Sequence, residues 1–510
     1  MEYALPSHSD NPDYLDAGKQ TKVSFLLTTA ANWQPETANL LPYHDIKLIG
    51  GEASGGSVLN LTRANRSKAG GKGAGKGLLP KITVVPMIAA TYFMVAGGPY
   101  GLEEVVQKTG YLATLLILVI TPLLWSLPTA MMVSELATAI PEEGGFYIWV
   151  RRGMGRFWGF QETWLTLAGS MFEMALYPNL CVAYLARYFP GLQSGHRGLL
   201  LGFAMIAVCT VWNIFGVRAV GEGSVWLNIA LLAPFVALII FALGSGRTGE
   251  TASVPLRHID LLGGVLIAMW NYMGWDNLST IAGEVEAPQR TYSRAMFGAL
   301  LLVVVSYLLP VAAVARTGIN PNSWTTGGWV DIGQIIGGQT LAIAIALAGV
   351  AGAIGTFSAL MLSFTRLPMV MAEDGYLPRI FTRRHPRTGA PWFAIAACAV
   401  FWGICYPLGF EGNLILDVLL TGLSILLEFW ALVALRIREP GLARPFRVPG
   451  GTAGVVAIGL PPLALMVATV VRNHKELVGA TNELVIGTII IAAGVALYFL
   501  SRLIPRNKAA

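Results

Sequence analysis

The chain has 510 residues, of which 54% are hydrophobic and 13% charged, with a formal net charge of +6 and a mean hydropathy of +0.59. A typical soluble domain carries roughly a quarter charged residues. So sparse a charge cannot cover a water-facing surface of this size, which excludes a large soluble protein with many buried helices.

Residues 1–80 are polar, mixed in charge and rich in Gly, Ser and Asn. They read as a disordered cytoplasmic N-terminal tail. No basic stretch leads into an apolar core there, so no cleavable signal peptide is expected, and the first span serves as its own insertion signal. The run GGKGAGKG (Gly70–Gly77) partly imitates a phosphate-binding loop. Gly77 stands where Ser or Thr would hold the metal ion, and no strand precedes it, so it reads as a flexible basic linker.

From Ile82 onward, apolar blocks mark about twelve spans: 82–104, 111–139, 157–186, 198–216, 224–244, 260–283, 295–315, 333–365, 391–409, 414–436, 453–472 and 483–504. Blocks of this length are helices, because a barrel strand needs only about ten alternating residues. The expected fold is therefore an all-α polytopic membrane protein. Residues 81–504 form the transmembrane transporter domain and 505–510 a short cytoplasmic C-terminal tail. On the tail side 22 basic residues flank the spans, against 8 on the other, which predicts both termini in the cytoplasm.

Two spans cannot be continuous. The middle of span 1 holds Ala96, Gly97, Gly98, Pro99, Tyr100 and Gly101. Pro99 removes a backbone donor, and the glycines weaken the helix further. The middle of span 6 holds Asn271, Tyr272, Gly274, Trp275, Asp276 and Asn277. Unwound backbone at membrane depth is tolerated only where it lines a cavity or binds something. Interrupted spans at matching places in two halves mark a transporter site. Half-helix N–H groups suit a carboxylate, and exposed carbonyls with a nearby acid suit an ammonium. The expected substrate-binding residues are Ala96, Gly97, Gly98, Pro99, Tyr100, Gly101, Trp270, Tyr272, Gly274 and Trp275. The carboxylate is expected near Gly97, Gly98 and the backbone after Pro99, and the ammonium near the carbonyls of Ala96 and Tyr272. Tyr92, Tyr100, Trp270, Tyr272 and Trp275 could form a lid or a cation–π surface.

Ionisable groups inside a span are costly and are functional candidates by default. Asp276, at the second break, and Glu173, in span 3, are the expected ammonium-holding or proton-coupling residues. Glu135, and Glu428 about two turns from Arg436, read as ion-pair or gate residues. The cysteines Cys181, Cys209, Cys398 and Cys405 lie inside apolar blocks, at spacings that fit neither a metal site nor a disulfide framework. No zinc motif, nucleophile elbow or phosphate loop is present. The reading is therefore of no enzyme, no cofactor, no metal and no nucleic-acid partner.

Several segments together carry a family resemblance: AGGPYG in span 1, SELATAIPEEGGFYIWV after span 2, GWDNLSTIAGEVEAPQRTYSRAM after span 6, MAEDGYLP after span 8 and ARPFRVPGG before span 11. Residues 82–504 resemble the amino acid–polyamine–organocation superfamily. WGFQETW and ALYPNL bring the chain nearest the branch of plant-type polyamine and amino-acid permeases. The resemblance implies two inverted five-helix repeats plus two helices, alternating access across a plasma membrane, and proton coupling. Polyamine members carry acids where this chain has Met94 and Leu360, and some amino-acid permeases carry a lysine that span 5 lacks. The lost acids favour an amino acid as substrate over a polyamine. A polyamine:proton symporter or an amino-acid exchanger of the same fold are the alternatives, ahead of a solute sensor or a channel.

Overall fold

In the computed structural model, spans 1 and 6 are both interrupted at mid-membrane. Residues 81–192, 196–246, 260–408, 411–473, 477–478 and 481–503 are described, all within one unit, Lys76–Ala510. The expected tails at 1–80 and 505–510, and the basic linker at Gly70–Gly77, lie outside the described residues.

Span 1 starts as helix α1 (Val84–Val95), which stops at the extended residue Ala96. After the glycine–proline break, the chain resumes as α2 (Glu103–Thr121). A positive-φ kink at Gly110 separates the short second half of span 1 from span 2. Pro122 then opens a π-helical turn, after which α3 (Leu127–Ala139) completes span 2. A short helix α4 (Phe146–Met154) leads into α5 (Arg156–Ala186), α6 (His196–Ile214) and α7 (Val217–Gly244).

The second half repeats the pattern. Helix α8 (Leu261–Asn271) ends at a break around Gly274, and a 3₁₀ segment, Asn277–Glu284, finishes span 6. Then come α9 (Pro288–Ala315), α10 (Gly328–Phe364), α11 (Arg366–Glu373), α12 (Trp392–Cys405) and α13 (Glu411–Arg438). Helices α14 (Gly451–Asn473) and α15 (Glu483–Leu503) follow, with a two-strand turn between them (Leu477–Val478 and Thr481–Asn482). Helix α10 begins earlier than the sequence suggests and kinks at Gly338 (φ 72°), so its first turns are a separate short helix.

Among the described residues, eight helical segments are long and apolar enough to cross a membrane. The shorter apolar helices α1, α8 and α12, together with the 31-residue α5, bring the spans to the expected twelve. Helix α5 carries Glu162 and Glu173 in its interior, which lowers its hydropathy but not its length. Unpaired apolar side chains face outward, among them Leu112, Leu200, Trp226, Ile240 and Trp430. That pattern suits lipid, which rewards no polar exterior.

The two broken spans run antiparallel. Ile82 N–H donates to Glu284 O at 2.9 Å and Glu286 N–H donates to Ile82 O at 3.0 Å, so the start of span 1 is tied to the end of span 6. At the far ends, Asp260 N–H donates to Lys108 O at 3.1 Å, tying the start of span 6 to the end of span 1. This head-to-tail pairing is what two inverted repeats require.

Candidate functional site

The break in span 1 meets α10 at close range. A Cβ on Gly352 would come within 2.6 Å of the Gly97 carbonyl oxygen, so only a glycine allows this approach. Beside this contact lies a cavity of about 30 Å³. Its walls are Val95, Gly97 and Tyr100 of span 1, Glu173, Tyr177, Leu180 and Tyr184 of α5, Trp270, Asn271 and Met273 of span 6, and Gly349, Gly352, Ala353 and Thr356 of α10. That space is large enough for water.

Of the residues expected from sequence, Gly97, Tyr100, Trp270 and Glu173 line this cavity. Tyr177 donates its hydroxyl to Glu173 Oε1 at 3.0 Å and fixes the carboxyl at the wall. No lysine or arginine is among the lining residues. Thr356 lines the cavity with a buried hydroxyl that has no hydrogen-bond partner.

The other expected residues serve the breaks themselves. Gly98 and Gly101 hold φ of 88° and 90°. Ala96 is buried outside the cavity wall, and the Pro99 carbonyl accepts from Trp329 Nε1 at 2.9 Å. Tyr272 donates to Leu118 O, and its own carbonyl accepts from Trp275 Nε1 at 2.8 Å, so that carbonyl is already engaged. Gly274 and Trp275 pack in the interior away from the cavity. The expected carboxylate position is also taken in part. Gly101 N–H, at the opening of the second half-helix, donates to Glu103 Oε2 at 2.6 Å, and Tyr184 donates to the other Glu103 oxygen. Glu103 thus engages one backbone N–H of the segment after Pro99, just ahead of the helix.

An aromatic layer does cover the break, but with different members. Tyr100 donates to Ile345 O at 2.6 Å and meets Tyr184 and Phe235 edge-on, with centroids 4.5 Å and 5.2 Å away. Phe235 in turn meets Trp329, which packs on Trp324. Phe235 and Trp329 carry no signal at the level of sequence, because they come from distant spans. Tyr92 lies below this layer, with its hydroxyl 2.9 Å from Ser306 Oγ.

Asp276 is buried and does not line the cavity. It faces Glu428 of α13. Glu428 does not pair with Arg436. That arginine instead binds Glu135, with Nε 2.8 Å from Oε1, and Arg444 also approaches Glu135 Oε1 at 3.2 Å. The reason is geometric: α3 lies against the end of α13 and brings Glu135 to the guanidinium, while Glu428 points two turns away. Glu103, Glu162 and Asp417 are buried acids that sequence reasoning missed. Their signal was present, since Glu162 and Glu173 stand eleven residues apart on α5, as do Asp417 and Glu428 on α13.

On the face where α1 begins, ion pairs tie the helices together. Arg366 Nη2 binds Glu284 Oε1 at 2.9 Å, Arg384 binds Glu143 at 2.8 Å, and Asp374 accepts from both Tyr147 and Arg151.

The amino acid permease family model matches residues 88–495. Relatives include a polyamine transporter of Arabidopsis thaliana, 33% identical over 81% of this chain and 85% of the relative. A polyamine transporter of Oryza sativa subsp. japonica is 34% identical over 76% of this chain and 72% of the relative. A serine/threonine exchanger of Bacillus subtilis is 25% identical over 64% and 75%. With paired broken spans, a small cavity between them and these relatives, the chain belongs to the amino acid permease family within the amino acid–polyamine–organocation superfamily, as a multi-pass membrane transporter and not an enzyme.

Proposed function

We propose that this permease is a secondary active transporter of small organic amines, amino acids or polyamines, working by alternating access and coupled to protons. The observation that carries this reading is Glu173, the one carboxyl on the wall of a cavity whose lining has no lysine or arginine. A buried carboxylate without a cation is costly, and a substrate ammonium supplies that cation. Tyr100, Tyr177, Tyr184 and Trp270 around it suit an ammonium by their ring faces.

Between the two substrate classes, the geometry favours a polyamine. Glu103 puts a carboxyl at the start of the second half-helix and already takes the Gly101 N–H, which disfavours a substrate carboxylate there. Met94 and Leu360, where acids are lost relative to polyamine permeases, are both buried and neither lines the cavity. Their neutrality therefore leaves the cavity's charge unchanged. The relatives named as polyamine transporters support the same side. The excess of basic residues on the tail side supports cytoplasmic termini.

Purified protein in liposomes, assayed for uptake of labelled putrescine, spermidine and amino acids with and without a pH gradient, tests the proposal. Uptake stimulated by an acidic outside is expected. Absence of uptake for every one of these solutes refutes it, and neutral amino acids outcompeting putrescine would return the substrate to the amino-acid class.

A further inference from the structure

Helices α5 and α13 pack along one another, each with a polar stripe on the facing side. The stripe on α5 is Glu162, Thr166, Gly169 and Glu173, and on α13 it is Asp417, Thr421, Ser424 and Glu428. Both follow an i, i+4, i+7, i+11 spacing, which keeps side chains on one helix face. The helices run antiparallel along this seam. Ser424 donates to Glu162 Oε1 at 2.9 Å, and the Ser424 and Thr166 hydroxyls stand 3.0 Å apart. Further along, Gly169 packs against Thr421 and Asp417, and Thr421 donates to Asp417 Oδ1 at 2.9 Å. One end of the seam therefore reaches Asp417 and Glu173, at the cavity wall.

The other end is a pocket of carboxyls from three spans. Glu428 is fully buried, and neither of its oxygens has a hydrogen-bond donor; Asp276 Oδ1, also buried, has none either. Yet the Asp276 and Glu428 carboxyls lie within hydrogen-bond reach of each other, with Glu162 close by. Two ionised carboxylates are acceptors only, and in contact they repel. One shared proton turns one of them into a donor and satisfies both.

Among the described residues, no cation on the elements packed against α13 pairs with Glu428 or Asp276. Glu135 of α3 is bound to Arg436 and Arg444, about two turns away. On α4, Arg151 is bound to Asp374 and Arg152 to Glu439. Helices α14 and α15 carry charge only near their ends, at Arg472, Glu483 and Arg502, and α8 carries none.

We propose that Glu428, Asp276 and Glu162 form a proton-binding site separate from the substrate cavity and joined to Glu173 by the hydroxyl seam of Thr166, Ser424 and Thr421. The proposal rests on the proton-coupled reading above. A metal ion needs several oxygens spread around it, whereas carboxyls in mutual contact accommodate a proton. Asp276 belongs to the broken span and Glu428 to an unbroken helix. When the break moves against α13, the carboxyls separate and the proton leaves as it arrived, with no other group changing charge.

The test uses the full chain in liposomes with the membrane potential clamped at zero and a pH-sensitive dye inside. The probe is labelled putrescine or alanine, whichever the wild-type protein accumulates. One coupled proton and a one-unit gradient support roughly tenfold accumulation, since tenfold corresponds to about 1.4 kcal/mol. Glu428→Gln is expected only to equalise the solute and to lose the proton flux, while the solute still stabilises the purified variant against heat. Glu428→Asp, which keeps a titratable carboxyl, is expected to regain coupling. A wild-type ratio of protons to solute in Glu428→Gln overturns the site. If that variant does not fold, Asp276→Asn is read in the same way. A wild-type protein that transports without moving protons overturns the coupling and this site with it, whereas one that transports none of the amines refutes the proposed function instead.

Discussion

Gly274 lies directly against the carbonyl of Met94, so that a Cβ added at Gly274 would come within 2.2 Å of that oxygen. This contact joins the break of span 6 to the end of α1, and Gly274 holds it at φ 91°. The carbonyls freed at the two breaks are held by side chains: Trp329 donates to Pro99 O and Trp275 to Tyr272 O.

Gly274→Ala therefore combines a left-handed backbone with a backbone clash. It is expected to cost about 3 kcal/mol or more. Thermal denaturation followed by fluorescence-detected size exclusion reads the loss directly. Wild-type melting of Gly274→Ala would mean that this break is free to shift.

Gly97 and Gly98 are adjacent in sequence and differ in consequence. A Cβ at Gly97 meets Thr356 Oγ1 at 3.1 Å, beside the cavity, with no left-handed backbone to strain. Gly97→Ala is expected to raise KM for uptake while sparing stability. Gly98 holds φ 88°, and a Cβ there meets Leu231 Cδ1 at 2.9 Å away from the cavity. Gly98→Leu is expected to fail by destabilising the protein, because it combines a left-handed backbone with that clash. Uptake kinetics and melting temperature on the same preparations separate the two.

Glu173→Gln removes the carboxyl charge from the cavity wall and keeps the shape. A hydrogen bond to a charged group contributes about 1.5–3 kcal/mol, so KM should rise roughly 10- to 100-fold. Radiolabelled uptake over a range of substrate concentrations measures it. An unchanged KM would remove Glu173 from ammonium recognition.

Two ion pairs on the same helix end should behave oppositely. Glu135 is fully buried between Arg436 and Arg444 and also accepts from Val448 N–H at 2.7 Å. Glu135→Ala leaves two guanidiniums without their carboxylate and is expected to cost about 3–5 kcal/mol. Glu439, beyond the membrane-spanning part of α13, pairs with Arg152 at a largely exposed site. The Arg152 guanidinium holds the Glu439 carboxyl below the usual range. Because its folded value is depressed, its contribution is present above the unfolded value near 4.3 and is lost as pH falls through the lower folded value. Screening keeps that contribution to about 0.5 kcal/mol, so Arg152→Ala should barely change melting at neutral pH. Melting curves of both variants at pH 7 and at acid pH check the contrast.

The sequence by itself determined the twelve spans, their helical nature and the places where two of them break. Apolar run length dictates the first, backbone satisfaction in lipid the second, and the chemistry of Gly and Pro the third. It also singled out Glu173 and Asp276 as acids inside the spans. Tertiary structure alone decided which carboxyl faces which partner. Asp276 and Glu428 are 152 positions apart in sequence, and only the crossing of span 6 over α13 brings them together. In the same way, Glu103 reaches Gly101 N–H because the chain turns back at the break, and Arg436 prefers Glu135 because α3 lies against the end of α13. Local residue types fix where a helix must stop, but the pairing of charges depends on distances that exist only once the helices are packed.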